Sequence, residues 1–121
     1  MMDRAKVLRA AARYAERYAQ SQDAIRAPAV VQEARAAGAS VCNTHRVGGG
    51  FVDQVWGIAG LNLLVEIKTP AGRLNDNERQ FHQDWRGQIA VVRTVEEAVA
   101  LVERWREFGY ALGELAREME L

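Results

Sequence analysis

The chain of 121 residues is poor in cysteine, proline and lysine, and it carries no net charge. Cys42 is the single cysteine, which excludes an internal disulfide and a cysteine-based metal site. No apolar run approaches the ~18 residues of a membrane-spanning helix, and the charged N-terminus lacks a signal-peptide core. We therefore expect a cytoplasmic protein that does not associate with membranes. With 49% hydrophobic and 26% charged residues, the composition is typical of one globular domain.

The zero net charge means that no global positive field attracts nucleic acid, although a local basic patch remains compatible with the sequence. Of the 16 basic residues, 14 are arginine, and the two lysines are Lys6 and Lys68. Lys68 falls in a predicted strand. Arginine and lysine differ in hydration and in pKa behaviour, so a lysine at this position indicates a specific role.

Hydrophobic periodicity predicts the order α, α, β, β, β, α, β, α, α. An amphipathic helix is expected over residues 3–20, and a second helix begins at Pro28 and ends at Gly38. Gly109 is expected to interrupt the last long helix and to leave a short final one. The predicted strands are ASVCNTHRV (residues 39–47), FVDQVWGI (51–58), LNLLVEIK (61–68) and QIAVVR (88–93).

The connections between these elements predict the topology of the sheet. Three successive strands favour an antiparallel meander, and the fourth strand returns through a helix, parallel to the third. That crossover helix begins at Asn75 or Asp76 and ends near Trp85, and Thr94 with Glu97 forms a capping box for the next helix. The expected fold class is α/β of the mixed α+β kind, with a four-stranded mixed sheet flanked by helices and an extra N-terminal helix.

The hairpin between the second and third strands brings charged residues together. A tight turn at Ala59-Gly60 pairs Ile58 with Leu61, and the same register places Asp53 opposite Glu66. Directly opposed residues have Cβ atoms only about 4.5–5.5 Å apart. Lys68 lies two positions beyond Glu66 and therefore points to the same face.

Two carboxylates at this distance are costly, so either one of them takes up a proton or both share a cation. Lys68 supplies one positive charge, and a hard dication such as Mg²⁺, with Mn²⁺ as a substitute, fits the remainder because it binds oxygen ligands and keeps waters. The Ile67 carbonyl is a candidate third ligand. Such a metal activates water and neutralises phosphate charge, while Lys68 orients or deprotonates the nucleophile.

Simpler interpretations of the same residues stay open. The two acids and the lysine also fit a cross-strand salt bridge on a solvated sheet face. His82 is predicted to be a hydrogen-bonded structural histidine, and Cys42 a small buried apolar residue. The tryptophans are predicted to belong to the core rather than to form base-stacking surfaces; they are Trp56, Trp85 and Trp105.

The sequence resembles a known family over residues 28–102. Small phage-type VRR-NUC nucleases, which belong to the PD-(D/E)XK superfamily and are related to Holliday-junction-resolving enzymes, have a helix ending in AAGA, a strand, a glycine-rich turn before an Asp, and a hairpin. Here ARAAGASVCNTHRVGGGFVD and EIK follow that pattern, and GRLNDNERQFHQDWRGQIAVVRTVEEAVAL continues it. The resemblance implies a restriction-endonuclease-like core at 28–102 in a single domain, 1–121, with a helical extension at 1–27 and C-terminal helices at 103–121.

The resemblance also implies roles for individual residues. By position, Asp53 and Glu66 correspond to metal ligands, together with the Ile67 carbonyl, and Lys68 corresponds to the catalytic lysine. DNA contacts are predicted in the glycine-rich turn and in the loop after the lysine. The alternative interpretation of these positions is that they are ordinary surface residues. These positions are His45, Arg46, Gly49 and Arg73.

We therefore predict a Mg²⁺-dependent DNA endonuclease that acts on branched or structured DNA, as a homodimer because one small domain covers little duplex.

The chain departs from the family at two positions. Val52 replaces the usual Pro before the first acid, and Ala29 replaces a helix acid, with Glu33 one turn further along. These departures favour the alternative of an inactive or weakened nuclease-fold protein that binds DNA or a protein partner. A third possibility, an interaction protein, rests only on the N-terminal helix.

Overall fold

A computed structural model of the chain describes residues 3–11 and 28–119. The elements in chain order are α1 (helical over residues 4–11), α2 (Pro28–Ala37), β1 (Ser40–Asn43), β2 (Gln54–Ile58), β3 (Leu61–Ile67), α3 (Asp76–Asp84), β4 (Ile89–Val92) and α4 (Val95–Glu118). Residues 12–20 of the predicted first helix lie outside the described residues. The part of the chain that the structure describes contains no helix both long and apolar enough to cross a membrane.

The four strands form one mixed sheet in the order β1-β2-β3-β4. β1 with β2 and β2 with β3 are antiparallel, whereas β3 and β4 are parallel and are joined through α3. The mixed four-stranded sheet flanked by helices is therefore confirmed.

The register of the β2–β3 hairpin follows the sequence prediction. The pairing runs from Ile58 with Leu61 to Gln54 with Val65. Ala59 and Gly60 form the turn with φ angles of 49° and 85°, both in the left-handed region that a two-residue turn of this kind needs. Continued by one residue, the same register brings position 53 opposite position 66.

α4 runs without a break, so the predicted interruption at Gly109 is wrong. Gly109 is buried, and a Cβ atom at this position would overlap the carbonyl of Ala59 in the hairpin turn. This residue is a glycine because the helix lies directly on the turn. The predicted boundary between residues 102 and 103 falls inside the same helix.

The hydrophobic core lies on the sheet face that α2 and α4 cover, because alternate residues of β2 and β3 point to that side. Trp56 is fully buried there, and Trp105 packs against the core, as predicted. Trp85, by contrast, is 43% exposed, and Cys42 is exposed on β1, so their predicted core positions are wrong. Cys42 lies on an edge strand, where one flank has no neighbouring strand.

The helices of the second half begin with side-chain caps. Asn75 caps α3 and forms a full capping box with Glu78. Thr94 caps α4 by accepting from the Glu97 N–H at 3.1 Å. The Glu97 carboxylate, however, accepts from the N–H of Arg93 rather than of Thr94. The predicted cap is confirmed, and the return bond of its box is displaced by one residue.

Candidate active site

Asp53 lies directly before β2 and is only 5% exposed. Its Oδ2 accepts a 2.8 Å hydrogen bond from the Ile67 N–H of β3. Its backbone carbonyl accepts from the Thr44 N–H at 2.7 Å, and the Thr44 hydroxyl donates to the Val52 carbonyl at 2.7 Å. Val52 is fully buried, so burial and hydrogen bonds hold this segment where the family uses Pro.

Glu66 and Lys68 occupy the end of β3 and the position just beyond it. Glu66 is 2% exposed, and the Lys68 ammonium lies 3.6 Å from its Oε1. The Lys68 N–H donates to the Val92 carbonyl at 3.0 Å, which extends the pairing with β4 and fixes the direction of the lysine side chain. The three predicted site residues therefore meet in one place.

Glu78 of α3 is a fourth member of this group that the sequence analysis missed. The Lys68 ammonium donates to both of its carboxylate oxygens, at 2.9 and 3.0 Å. Glu78 Oε1 also accepts from the Asn75 N–H at 2.9 Å, as the return bond of the capping box. The Asn-x-x-Glu spacing was the available signal, because it places a carboxylate at the start of the helix that covers this face.

Burial is the main cause of abnormal acidity in the group. It raises the pKa of Glu66 to about 10, helped by the neighbouring carboxyl groups of Glu78 and Asp53. Burial also raises the pKa of Asp53, against the lowering effect of the Ile67 N–H and of the Glu66 carboxyl. Three carboxyl groups share one lysine here, so full ionisation leaves the group short of positive charge.

Lys68 and Glu78 form the fully charged pair of the group. Burial alone would lower the pKa of Lys68, but the hydrogen bond and charge of Glu78 raise it above its usual value. Burial likewise opposes ionisation of Glu78, yet the neighbouring Glu66 carboxyl and the hydrogen bonds from Asn75 and Lys68 lower its pKa. A lysine held this way is a cation suited to bind a phosphate or orient a nucleophile, and it is a poor general base.

The carboxyl groups of this cluster are candidate ligands for a divalent metal ion. Among residues 3–11 and 28–119, no set of three or more His, Cys, Asp or Glu side chains is arranged to hold one. Mg²⁺, however, commonly binds through one or two carboxylates and keeps its waters. Glu66 Oε2 is buried and has no hydrogen-bond partner within the described residues, and it lies beside a second hard oxygen donor, Asp53. Asp53 and Glu66 therefore fit such an ion.

No family model, curated protein or solved structure matches this chain. The interpretation of the group therefore rests on its own geometry. That geometry contradicts the simplest alternative, a salt bridge on a solvated face, because Asp53, Glu66 and Glu78 are all buried.

The helix acid of the family has no equivalent on α2. Ala29 and Glu33 are both exposed there, and Glu33 is not among the charged neighbours that shift the pKa of Asp53 or of Glu66. The third carboxylate of the group comes instead from α3.

The predicted DNA-contacting residues lie around the group rather than in it. Arg46, Gly49 and Arg73 are exposed, and His45 is half-buried with its Nδ1 unpartnered within the described residues. The glycine-rich turn approaches α3 closely, because a Cβ at Gly50 would lie 2.8 Å from the Asn77 carbonyl.

His82 of α3 is half-buried, and burial lowers its pKa. Its Nε2 has no hydrogen-bond partner among the described residues, so the hydrogen bond predicted for His82 is not seen at that nitrogen.

Proposed function

We propose that the protein is a Mg²⁺-dependent DNA endonuclease of the PD-(D/E)XK kind. The observation that carries this proposal is the meeting of Asp53, Glu66 and Lys68 in one buried group at the end of a β-hairpin. Buried charge is rare in proteins without a partner or a function, and strongly shifted pKa values concentrate at active sites. The buried oxygen of Glu66 without a hydrogen-bond partner is available to a cation.

In this proposal, Asp53 and Glu66 hold the ion, with the Ile67 carbonyl as a further oxygen donor. When bound, Mg²⁺ supplies Lewis acidity and charge neutralisation for phosphodiester hydrolysis. Lys68 donates to a phosphate oxygen or to the attacking nucleophile, and it is held in position by Glu78. In the same proposal, the exposed residues Arg46 and Arg73 contact neighbouring phosphates.

The test is cleavage of plasmid and branched DNA with Mg²⁺. We expect Asp53→Asn and Lys68→Ala to lower the cleavage rate by at least ~100-fold, the scale for losing one charged catalytic group. Lys6→Ala removes the other lysine, which is exposed on α1, and serves as the matched control. Equal cleavage by all four proteins would show that the site is assigned wrongly.

The second candidate is an inactive nuclease-fold protein that binds DNA or a protein. The exposed Ala29 on α2 favours it, because that helix contributes no acid to the group. Calorimetry with Mg²⁺ or Mn²⁺ separates the candidates. DNA binding without any metal binding would favour the second.

We also propose a homodimer that pairs the outer ends of α4. Apolar residues recur along α4 at alternating spacings of four and three, a pattern typical of a coiled-coil seam. The first two, Leu101 and Trp105, pack on the core. The remaining four form an exposed stripe, 49–58% exposed, made of Phe108, Leu112, Leu115 and Met119. A second copy of the same stripe is its natural cover, and two active sites would suit cleavage of both DNA strands.

A further inference from the structure

An aromatic row extends from the candidate active site along α3 to an exposed tryptophan. Phe51, at the end of the glycine-rich turn, meets Phe81 edge-on at 5.4 Å, and Phe81 stacks on Trp85 with ring centroids 5.4 Å apart and planes at 16°. Trp85 ends the row and is 43% exposed. Large aromatic side chains are usually buried in proteins. An exposed indole that a stacked neighbour holds in place is therefore a surface suited to bind another flat ring.

The position of the indole is fixed from two sides. Phe81 supports it by stacking, and a Cβ at Gly87 would lie 2.7 Å from the Trp85 Nε1. Gly87 thus leaves the space into which the edge of the indole fits. Trp85 is also the C-cap of α3, and its N–H donates to the Phe81 carbonyl at 2.9 Å. Both the backbone and the ring of Trp85 are therefore held in place.

One charge beside the row is suited to a phosphate. Of the two acids of α3 near it, Asp76 is paired with Arg79, whereas Asp84 accepts hydrogen bonds from the neutral Gln80 amide and keeps its negative charge. Arg86, directly after Trp85, is exposed, and the described residues place no carboxylate within ion-pair distance of it. An aromatic face beside an unpaired guanidinium is the combination that binds a nucleobase together with its phosphate.

The same helix carries this surface and Glu78 of the candidate site. Trp85 lies seven positions after Glu78, which is about 10 Å along the helix axis. A base can stack on Trp85 only if its own face is free, so it cannot lie in the interior of a duplex.

We infer that Trp85 stacks an unpaired base of the strand whose phosphate lies at the Lys68 site, which makes the substrate class DNA with single-stranded segments, such as a flap or branch point. This inference rests on the proposed nuclease function, and it names the substrate of that same site. Gly87 and Phe81 position the stacking residue.

Binding of oligo(dT) in EDTA tests the inference without cleavage. Trp56 is fully buried and Trp105 half-buried, so quenching of tryptophan fluorescence by oligo(dT) reports mainly on Trp85. We expect Trp85→Ala to weaken oligo(dT) binding about 5- to 100-fold and to abolish the quenching, since each stacked base contributes on that scale. Trp85→Phe should retain part of the affinity.

Tyr110→Ala is the matched control, because it truncates an exposed aromatic residue of α4 that lies outside the stripe, and it should change oligo(dT) affinity less than about twofold. Gly87→Ala keeps the indole but displaces it, and should weaken binding as Trp85→Ala does. Affinity for a blunt duplex of equal length should not depend on Trp85. Equal oligo(dT) affinity of Trp85→Ala and the wild type, or no binding by the wild type, would overturn the inference.

A cleavage assay with Mg²⁺ tests the stacking surface at Trp85 and the proposed nuclease function separately. A wild type that cuts flap and duplex DNA equally, with no effect of Trp85→Ala, would keep the nuclease and refute the stacking surface. A wild type that binds oligo(dT) through Trp85 but cuts no DNA would refute the nuclease and keep the stacking surface.

Discussion

The two faces of the sheet use the same strands for different purposes. On one face, Trp56 and Val65 are fully buried among apolar neighbours beneath the 24-residue helix α4. On the other, Glu66 and Lys68 meet Glu78 of the nine-residue helix α3. Because side chains alternate along β3, consecutive residues serve the hydrophobic core and the charged group in turn.

The comparison teaches that the two faces should respond to substitution in opposite ways. The apolar face stabilises the fold by close packing, so any added or removed atom costs free energy. The charged face holds three carboxyl groups against one lysine, so removing the excess acid Glu66 should stabilise the protein while it removes the proposed activity. A substitution on the charged face of β3 is therefore expected to raise stability and lower activity, whereas one on the apolar face is expected to lower stability.

The largest effect on stability is expected where α4 lies on the hairpin. Gly109→Ala places a Cβ against the Ala59 carbonyl and should lower the free energy of unfolding by about 1–3 kcal/mol. Gly113→Ala is the control, because nothing lies near that position, and it should stabilise the helix by up to ~1 kcal/mol. Urea unfolding of both variants measures the difference. Equal changes in both would mean that the helix does not lie on the turn.

An intermediate effect of opposite sign is expected at Glu66. Its pKa of about 10 in the fold lies above the ordinary value of 4.5, so the folded state holds an extra proton between these values. The stability of the metal-free protein should therefore fall as pH rises through this window. Glu66→Gln cannot ionise, so it should flatten this dependence and raise the free energy of unfolding at pH 9 by about 1–2 kcal/mol.

Thermal unfolding in EDTA at pH 6 and pH 9 measures this change, with Glu33→Gln, an exposed acid on α2, as the control. Added Mg²⁺ should stabilise the wild type and not Glu66→Gln, because the ion binds only the folded site. A wild type that is more stable at pH 9 than at pH 6 in EDTA would contradict the cost of burying Glu66.

The smallest effect on folding is expected at the exposed stripe of α4. Leu115→Glu should change the free energy of unfolding of the monomer by no more than about 0.5 kcal/mol, since the side chain is 49% exposed. It should nevertheless dissociate the proposed dimer, as measured by analytical ultracentrifugation. Leu8→Glu, an exposed leucine on α1, is the control and should leave the dimer intact. Dissociation by Leu8→Glu alone would move the interface to α1.

Much of the sheet could be predicted because local signals determine it. The two-residue turn fixes the register, and the register brings Asp53 opposite Glu66. This pairing can be worked out from the local sequence of the hairpin alone. The parallel return of β4 follows from the helical crossover.

The sequence predictions were wrong or incomplete mainly where the role of a residue depends on tertiary packing. Gly109 looks like a helix break in sequence, yet it is required by Ala59, fifty positions earlier. Glu78 looks like an ordinary capping residue, and only the packing of α3 brings it to Lys68. Trp85 looks like a core residue, but it is the C-cap of α3 and is 43% exposed.

The capping box of α3 has a kinetic consequence. The Glu78 carboxylate accepts a hydrogen bond from the Asn75 N–H in the first turn of α3 and another from the Lys68 ammonium. Fraying of that single turn therefore releases the Lys68 ammonium at the same moment. Amide exchange at the helix start and mobility of the lysine head group should rise and fall together, as one opening event.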